Sequence, residues 1–569
     1  MTARGFVARL DLRGLLPVRA DYDVRPRTLR ADLVAGVTVG VVALPLALAF
    51  GISSGVGPAA GLVTAVIAGI VAAVFGGSNV QVSGPTGAMA VVLAPIVAEY
   101  GPGSVALVTI GAGLVVLVLG VLRLGRVVTF IPWPVVEGFT LGIAAIIFLQ
   151  QVPSALGVPA EAGHNTLVAA LGAMGDAAGA PDTATLWTLG IVAAVAALML
   201  TLPRIHGALP ASLVAVVVVT VAAELAGASA PRIDALPSAL PVPYLPDVTT
   251  GAVRDVFGAM IAVAALATIE SLLSARVAAT MPTGRGGSGP YEPDRELVGQ
   301  GLASVASGMF GGMPATGAIA RTAVNVRSGA RTRLAAVVHA LVILAVIYLA
   351  TGPVSRIPLA ALAGVLMVTS FRMVHAGTVR AVLTSTRSDA VTFAVTAIIT
   401  VAFDLIEAVQ IGLLVAAFLT LRHVARAASV HRDPLPGAAR PGDEHIASYR
   451  LEGAMFFGAA GRILAEVTQG SRRDGVSVVI LRLSQVRLVD ATGANALAEL
   501  ITELEQRGVT VLVKGVQDRH RRLLVNVGAL NRLRHENHLF TTLDAAVAHA
   551  RSHVAREPGS QQDQAFAPA

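Results

Sequence analysis

Long apolar runs alternate with short polar loops over three quarters of this chain. The runs lie at roughly 33–54, 56–75, 85–100, 104–121, 127–150, 184–203, 209–228, 251–276, 298–311, 317–328, 334–351, 357–371, 389–403 and 405–422. A helix needs about 20 apolar residues to cross a bilayer. Most of these runs qualify, and the pattern predicts a polytopic α-helical membrane protein with fourteen spans. The runs starting near 85, 298 and 317 are short, and glycine or proline interrupts two of them. Residues 1–30 are polar and Arg-rich and read as a cytoplasmic N-terminal segment, with 31–423 as the membrane domain. Residues 424–445 gain Pro, Gly and Arg and read as a linker. In 446–554, β-rich runs (477–484, 509–515) alternate with helical spacing (491–508, 541–554), which predicts a small soluble α/β domain. Residues 555–569 read as a disordered tail.

Composition agrees. The 569 residues are 54% hydrophobic and 14% charged, against roughly 25% charged in soluble domains. The mean hydropathy is +0.73. There is no cysteine, hence no disulfide and no thiolate metal site. The net charge of +7 does not signal nucleic acid, because the basic residues are dispersed. Arg4, Arg9, Arg13, Arg19, Arg25, Arg27 and Arg30 precede the first run; Arg123, Arg126, Arg204, Arg285, Arg295, Arg331, Arg333, Arg372, Arg380 and Arg387 sit in loops. That distribution follows the positive-inside rule and predicts a multi-pass plasma-membrane protein with both termini cytoplasmic. The N-terminal segment lacks a cleavage site and is not a removed signal peptide.

One short pattern occurs twice. Phe75-Gly76-Gly77 precedes Pro85 and Thr86-Gly87-Ala88-Met89-Ala90; Phe310-Gly311-Gly312 precedes Pro314 and Thr316-Gly317-Ala318-Ile319-Ala320. Paired, interrupted spans in two halves mark a transporter's binding site. Each predicts an extended entry followed by a half-helix that starts at mid-membrane. The free N–H groups and partial positive charge of two such N-termini make an anion site.

Glu270 lies inside an apolar run, where a carboxylate costs roughly 2.5–3.5 kcal/mol, so it is read as functional. Ser274, one turn on, shares its face and is grouped with it in coupling to a cation or proton. Arg321 follows the second half-helix start and either adds positive charge near the anion or pairs with Glu270. His339 reads as a packed core residue, and the histidines as scattered. No metal cluster, nucleophile elbow or phosphate loop is legible, so neither an enzyme nor a cofactor is expected.

These segments resemble transporters of the sulfate permease (SulP, prestin-like) type. The resemblance is carried by 43–62 (ALPLALAFGISSGVGPAAGL), 82–96, 134–144, 267–278 and 296–330, and it spans roughly 30–550. It implies two inverted seven-span repeats, about 31–228 and 251–423, forming core and gate domains. It also implies elevator-like transport and a homodimer. Carried over, the anion site comprises Thr86, Gly87, Ala88, Gly317, Ala318, Ile319, Ala320 and Arg321, with Leu46 and Phe50 as its wall and Glu270 as the coupling carboxylate. Leu46 and Phe50 replace a Gln and a Tyr of many sulfate-type members, a less polar wall. Sodium-coupled bicarbonate members resemble the first span but tend to carry Asp and Thr at Glu270 and Ser274, and Thr at Ile319. The Glu is closer to proton-driven members, including bacterial C4-dicarboxylate carriers. Sulfate, bicarbonate and C4-dicarboxylates stay open as substrates, as do proton symport, sodium symport, exchange and channel-like conduction. The C-terminal domain resembles STAS domains. VRLVDATGANAL (486–497) places Asp490, Thr492 and Gly493 at their regulatory loop, where the resemblance implies that a Ser or Thr can be phosphorylated; Thr492, its one hydroxyl, reads as a helix N-cap in preference to a phosphorylation site. A cytosolic partner of that domain is expected.

Overall fold

The computed structural model describes residues 15–18, 21–126, 132–158, 166–179, 183–205, 210–233, 236, 238–246, 249–281, 291–402, 405–473 and 475–556. Most of the N-terminal segment and the tail 557–569 lie outside these residues. The chain divides into two compact units, Met1–Leu413 and Leu414–Ala569.

In the first unit the helices are α1 (Pro26–Ser53), α2 (Pro58–Phe75), α3 (Gly87–Tyr100), α4 (Ser104–Val121), α5 (Trp133–Gln150), α6 (Val152–Leu156), α7 (Thr166–Gly179), α8 (Thr183–Ile205) and α9 (Ala211–Leu225). There follow α10 (Thr250–Thr280), α11 (Pro293–Met309), α12 (Ile319–Arg327), α13 (Leu334–Leu349), α14 (Thr351–Ser355), α15 (Leu359–Met373), α16 (Ala376–Ser385), α17 (Arg387–Ala402) and α18 (Leu405–Ala427), which runs into the second unit. Each of the fourteen apolar runs finds a helix. The first begins at Pro26, inside the stretch read as a polar leader, because proline at the first helical position costs no hydrogen bond. Helices α6, α7, α14 and α16 were not expected. Among the described residues, seven helical segments are long and apolar enough to cross a membrane, whereas α3 is among the shorter apolar helices, as a half-span should be.

Small residues bring the helices together. A Cβ on Gly61 of α2 would lie 1.9 Å from the Ala47 carbonyl oxygen of α1. On α11, a Cβ on Gly301 would meet the Gly113 carbonyl of α4 at 2.7 Å. Such backbone-to-backbone contact is the packing mode available where lipid offers no hydrophobic drive. Gly61→Ala is therefore expected to lose about 1–3 kcal/mol by overpacking. Gly251→Ala, whose new methyl meets nothing within 4 Å, should be neutral. Thermal unfolding of both variants in detergent checks this; equal melting points would refute the close approach.

The second unit is a five-stranded sheet in the order β3 (Ser429–Asp433), β4 (Ile446–Met455), β5 (Val478–Val489), β6 (Thr510–Lys514), β7 (Leu539–Phe540). Strand β3 runs antiparallel to β4, and the remaining neighbours are parallel. The helices are α19 (Ala460–Arg473), α20 (Ala491–Gln506), α21 (Asp518–Asn526) and α22 (Leu543–Val554). The stretch expected as a linker thus contributes an edge strand. Its five residues pair with Ser448–Glu452, and Arg482 clamps Asp433 at 2.5 Å. One apolar core lies around Leu451, Leu481 and Ile501, and a second joins Ile480 and Leu512 to Val547 of α22.

Candidate anion site between two half-helices

The repeated pattern folds as a ribbon at the centre of the first unit. Strand β1 (Ser83–Gly84) pairs antiparallel with β2 (Thr316–Gly317), Ser83 opposite Gly317 and Gly84 opposite Thr316. The Ala318 N–H donates to the Val82 carbonyl at 2.9 Å. Helices α3 and α12 leave this ribbon. Thr86 is the N-cap of α3, its Oγ1 3.5 Å from the Met89 nitrogen. Helix α12 begins after Ala318 with no side-chain cap. The two copies differ here: Thr86 caps its helix, whereas Thr316 stays in the strand.

Glu270 of α10 reaches the ribbon. The Thr86 hydroxyl donates to its Oε2 at 2.9 Å and the Thr316 hydroxyl at 2.8 Å, and the two hydroxyl oxygens are 3.1 Å apart. Thr316 was missed, although the duplicated motif contains it. The next residue on α10, Ser271, accepts from the Gly317 N–H at 3.2 Å, and its carbonyl accepts from Gln81 at 3.3 Å. Gly317 has no room for a side chain, since a Cβ would sit 1.5 Å from Gln81 Nε2.

Ser274 is fully buried and stands 3.4 Å from the Thr322 hydroxyl, so it joins Thr322 rather than the Glu270 cluster. Arg321 is also buried; it donates to the Pro85 carbonyl at 2.5 Å, and its other terminal nitrogen has no partner. Of the two readings for Arg321, pairing with Glu270 does not occur among the described ion pairs. Phe50 and Leu46 of α1 are buried. The Phe50 ring lies against the start of α3, where a Cβ on Gly87 would be 3.2 Å from it. Ala88 is buried, while Ile319 and Ala320 are exposed. His339 is buried, as expected.

Helix α11 holds the ribbon from behind. Glu296, 1% exposed, accepts from the Gly77 and Ser78 N–H groups at 2.8 and 3.1 Å. Gln300 donates to Glu296 at 2.8 Å and to the Ser83 hydroxyl at 2.6 Å. Nothing in the local spacing singles these two out, because α11 also carries Asp294, Arg295, Ser304 and Ser307.

Residues 29–396 match the description "Sulfate permease family", and residues 438–546 match "STAS domain". The chain belongs to the sulfate permease family. "Putative sulfate transporter YvdB" of Bacillus subtilis is 33% identical over 88% of this chain and 94% of its own length. "Bicarbonate transporter BicA" of Synechocystis is 32% identical, over 88% and 90% respectively. The solved murine Slc26a9 structure superposes with a TM-score of 0.81 at 16% identity, covering 97% of this chain and 96% of that one. Like these relatives, this sulfate permease family member is a transporter rather than an enzyme.

In the STAS unit, Asp490 and not Thr492 caps α20: its carboxylate accepts from the Gly493 N–H at 2.7 Å and from the Phe457 N–H at 3.2 Å. A short carboxylate at the strand end reaches those N–H groups, and Thr492 falls inside the helix, exposed. Gly493 is required by the Met455 carbonyl, 2.0 Å from where a Cβ would be. The sequence shows no metal cluster and carries no sign that His538, His549 and His553 each place one ring nitrogen within 4.8 Å of the others. Residues from two elements meet there because α22 packs back on the sheet.

Proposed function

We propose that this anion transporter carries a small anion across the plasma membrane in symport with a proton. The anion binds between the N-termini of α3 and α12. Free N–H groups in the first turns, at Gly87, Ala88, Ile319 and Ala320, meet the charge. Thr86, Gly317 and Ala318 shape the ribbon, Leu46 and Phe50 form the apolar wall, and Arg321 supplies fixed positive charge from behind. Because β1 and β2 join the two half-helices, the site travels as one body in an elevator movement against the remaining helices. The protein works as a homodimer with both termini cytoplasmic, and exposed Thr492 is the point at which a cytosolic partner or phosphate acts on the STAS unit.

The observation that carries proton coupling is the triad of Glu270, Thr86 and Thr316. With the carboxylate ionised, both hydroxyls donate to Oε2 and the 3.1 Å contact between them has no proton of its own. Add one proton to Glu270 and a closed ring forms, in which each oxygen donates once and accepts once. The triad thus takes up a proton without displacing a heavy atom. A second reading is sodium symport, favoured by the same three convergent oxygens.

The test is uptake into proteoliposomes of labelled sulfate, bicarbonate and succinate, each with an inward proton gradient, an inward sodium gradient or none. Proton-driven accumulation of any one supports the reading. Accumulation driven only by sodium replaces it with the second, and flux indifferent to either gradient makes the protein an exchanger or a channel-like conductor.

A further inference from the structure

Among the described residues, the C-terminal end of the STAS unit gathers histidines from two elements. His538 closes the short turn Glu536–His538 that leads into β7. His549 and His553 are one turn apart on α22, hence on one face. Their Nε2 atoms are 3.2 Å apart. The ring centroids of His538 lie 5.4 Å from His549 and 5.3 Å from His553. His538 is 1% exposed and its Nδ1 has no hydrogen-bond partner. A buried ring nitrogen left without a partner beside two other imidazoles is poor packing for its own sake.

The spacing has a chemical meaning. Tetrahedral zinc with Zn–N bonds of about 2.0–2.1 Å sets neighbouring ligand nitrogens roughly 3.3 Å apart. The His549–His553 separation is already there, and a ring nitrogen of His538 lies within 4.8 Å of both. Ligation requires neutral imidazole. Burial, followed by the neighbouring rings of His553, His549 and His535, pushes His538 down to about 4. Burial and His549, then Arg556 and Arg534, also lower His553. For His538 and His553, both shifts run toward the neutral form that ligation needs. Those arginines oppose a cation as well, so affinity rests on the coordination bonds; Arg534 is partly offset by Glu505 at 3.1 Å. Three imidazoles without carboxylate select zinc-like transition metals over magnesium or calcium.

We infer that His538, His549 and His553 form a zinc site that clips helix α22 to the turn before β7. The fourth position is taken by water or by His535, whose ring centroid is 5.4 Å from that of His538. The experiment uses the full chain, purified in detergent with a histidine-free tag and stripped with chelator. Zinc is titrated against a chromophoric competitor, and cobalt is added separately to read the visible bands of a tetrahedral site. Wild type should bind one zinc per chain, develop the cobalt bands and gain thermal stability with zinc. The double variant His549→Gln/His553→Gln should bind at least about 100-fold more weakly and lose the bands. His431→Gln, an exposed histidine outside the cluster, should behave as wild type. Melting of the metal-free variants shows that they fold, and His553→Gln alone provides a milder lesion if the double variant does not. Equal zinc affinity in wild type and the cluster variants, or wild type without cobalt bands, overturns the inference.

Discussion

Glu270→Gln removes proton-driven accumulation while leaving anion binding nearly intact. Glutamine is almost isosteric and its carbonyl still accepts from Thr86 and Thr316, so the ribbon keeps its form. What it cannot do is take up or release the proton that closes the hydroxyl ring. The coupling free energy between two ligands is typically about 1–3 kcal/mol, or roughly 5–150-fold in affinity, and this variant should forfeit it. Uptake should then stop at passive equilibration under a proton gradient. Anion affinity, measured by equilibrium binding in detergent, should change less than about threefold, because helix ends rather than Glu270 hold the charge. Full gradient-driven accumulation by the variant would sink the coupling role. Lost anion binding would instead move the carboxylate into the anion site itself.

A second large effect belongs to a residue that touches no anion. In Glu296→Ala, three donors lose their acceptor: the Gly77 and Ser78 N–H groups and the Gln300 amide. Gln300 keeps Ser83, but the two backbone groups are fixed by the chain and cannot turn to water. Each buried unsatisfied donor costs about 1–3 kcal/mol. Removing the carboxylate also removes its own burial cost, so a net loss of about 3 kcal/mol is expected. Thermal unfolding followed by size-exclusion chromatography should show a marked drop. Glu296→Gln, which keeps one accepting oxygen, should fall between. An alanine variant as stable and active as wild type would show that α11 does not hold the ribbon.

The sequence signals divide along physical lines. Hydropathy locates a helix wherever lipid or core demands a continuous apolar run, and the fourteen runs all became helices. Helix α7 escaped because its contribution is small buried alanines, Ala170 and Ala173, on a segment too short to read as a span. Strand β3 escaped because its residues SVHRD are polar; the partner strand makes it a strand. The duplicated TGAxA motif marked the site, yet it did not say that one threonine would cap a helix while the other stayed extended. That difference is tertiary: Ser271 and Val82 hold Gly317 and Ala318 in the ribbon. Asp490 won the cap over Thr492, and the histidines converged, for the same reason.

The ribbon also dictates an order of events at the ribosome. Thr86 and Thr316 stand 230 residues apart, so at about 5–20 residues per second the first half waits roughly 10–50 s for its partner strand. During that interval β1 has unpaired backbone groups in a setting where each costs several kcal/mol. A nascent chain halted after α9 should therefore be a client of insertion chaperones and quality-control proteases. The decision to keep or destroy each molecule then falls at the moment Gly317 arrives.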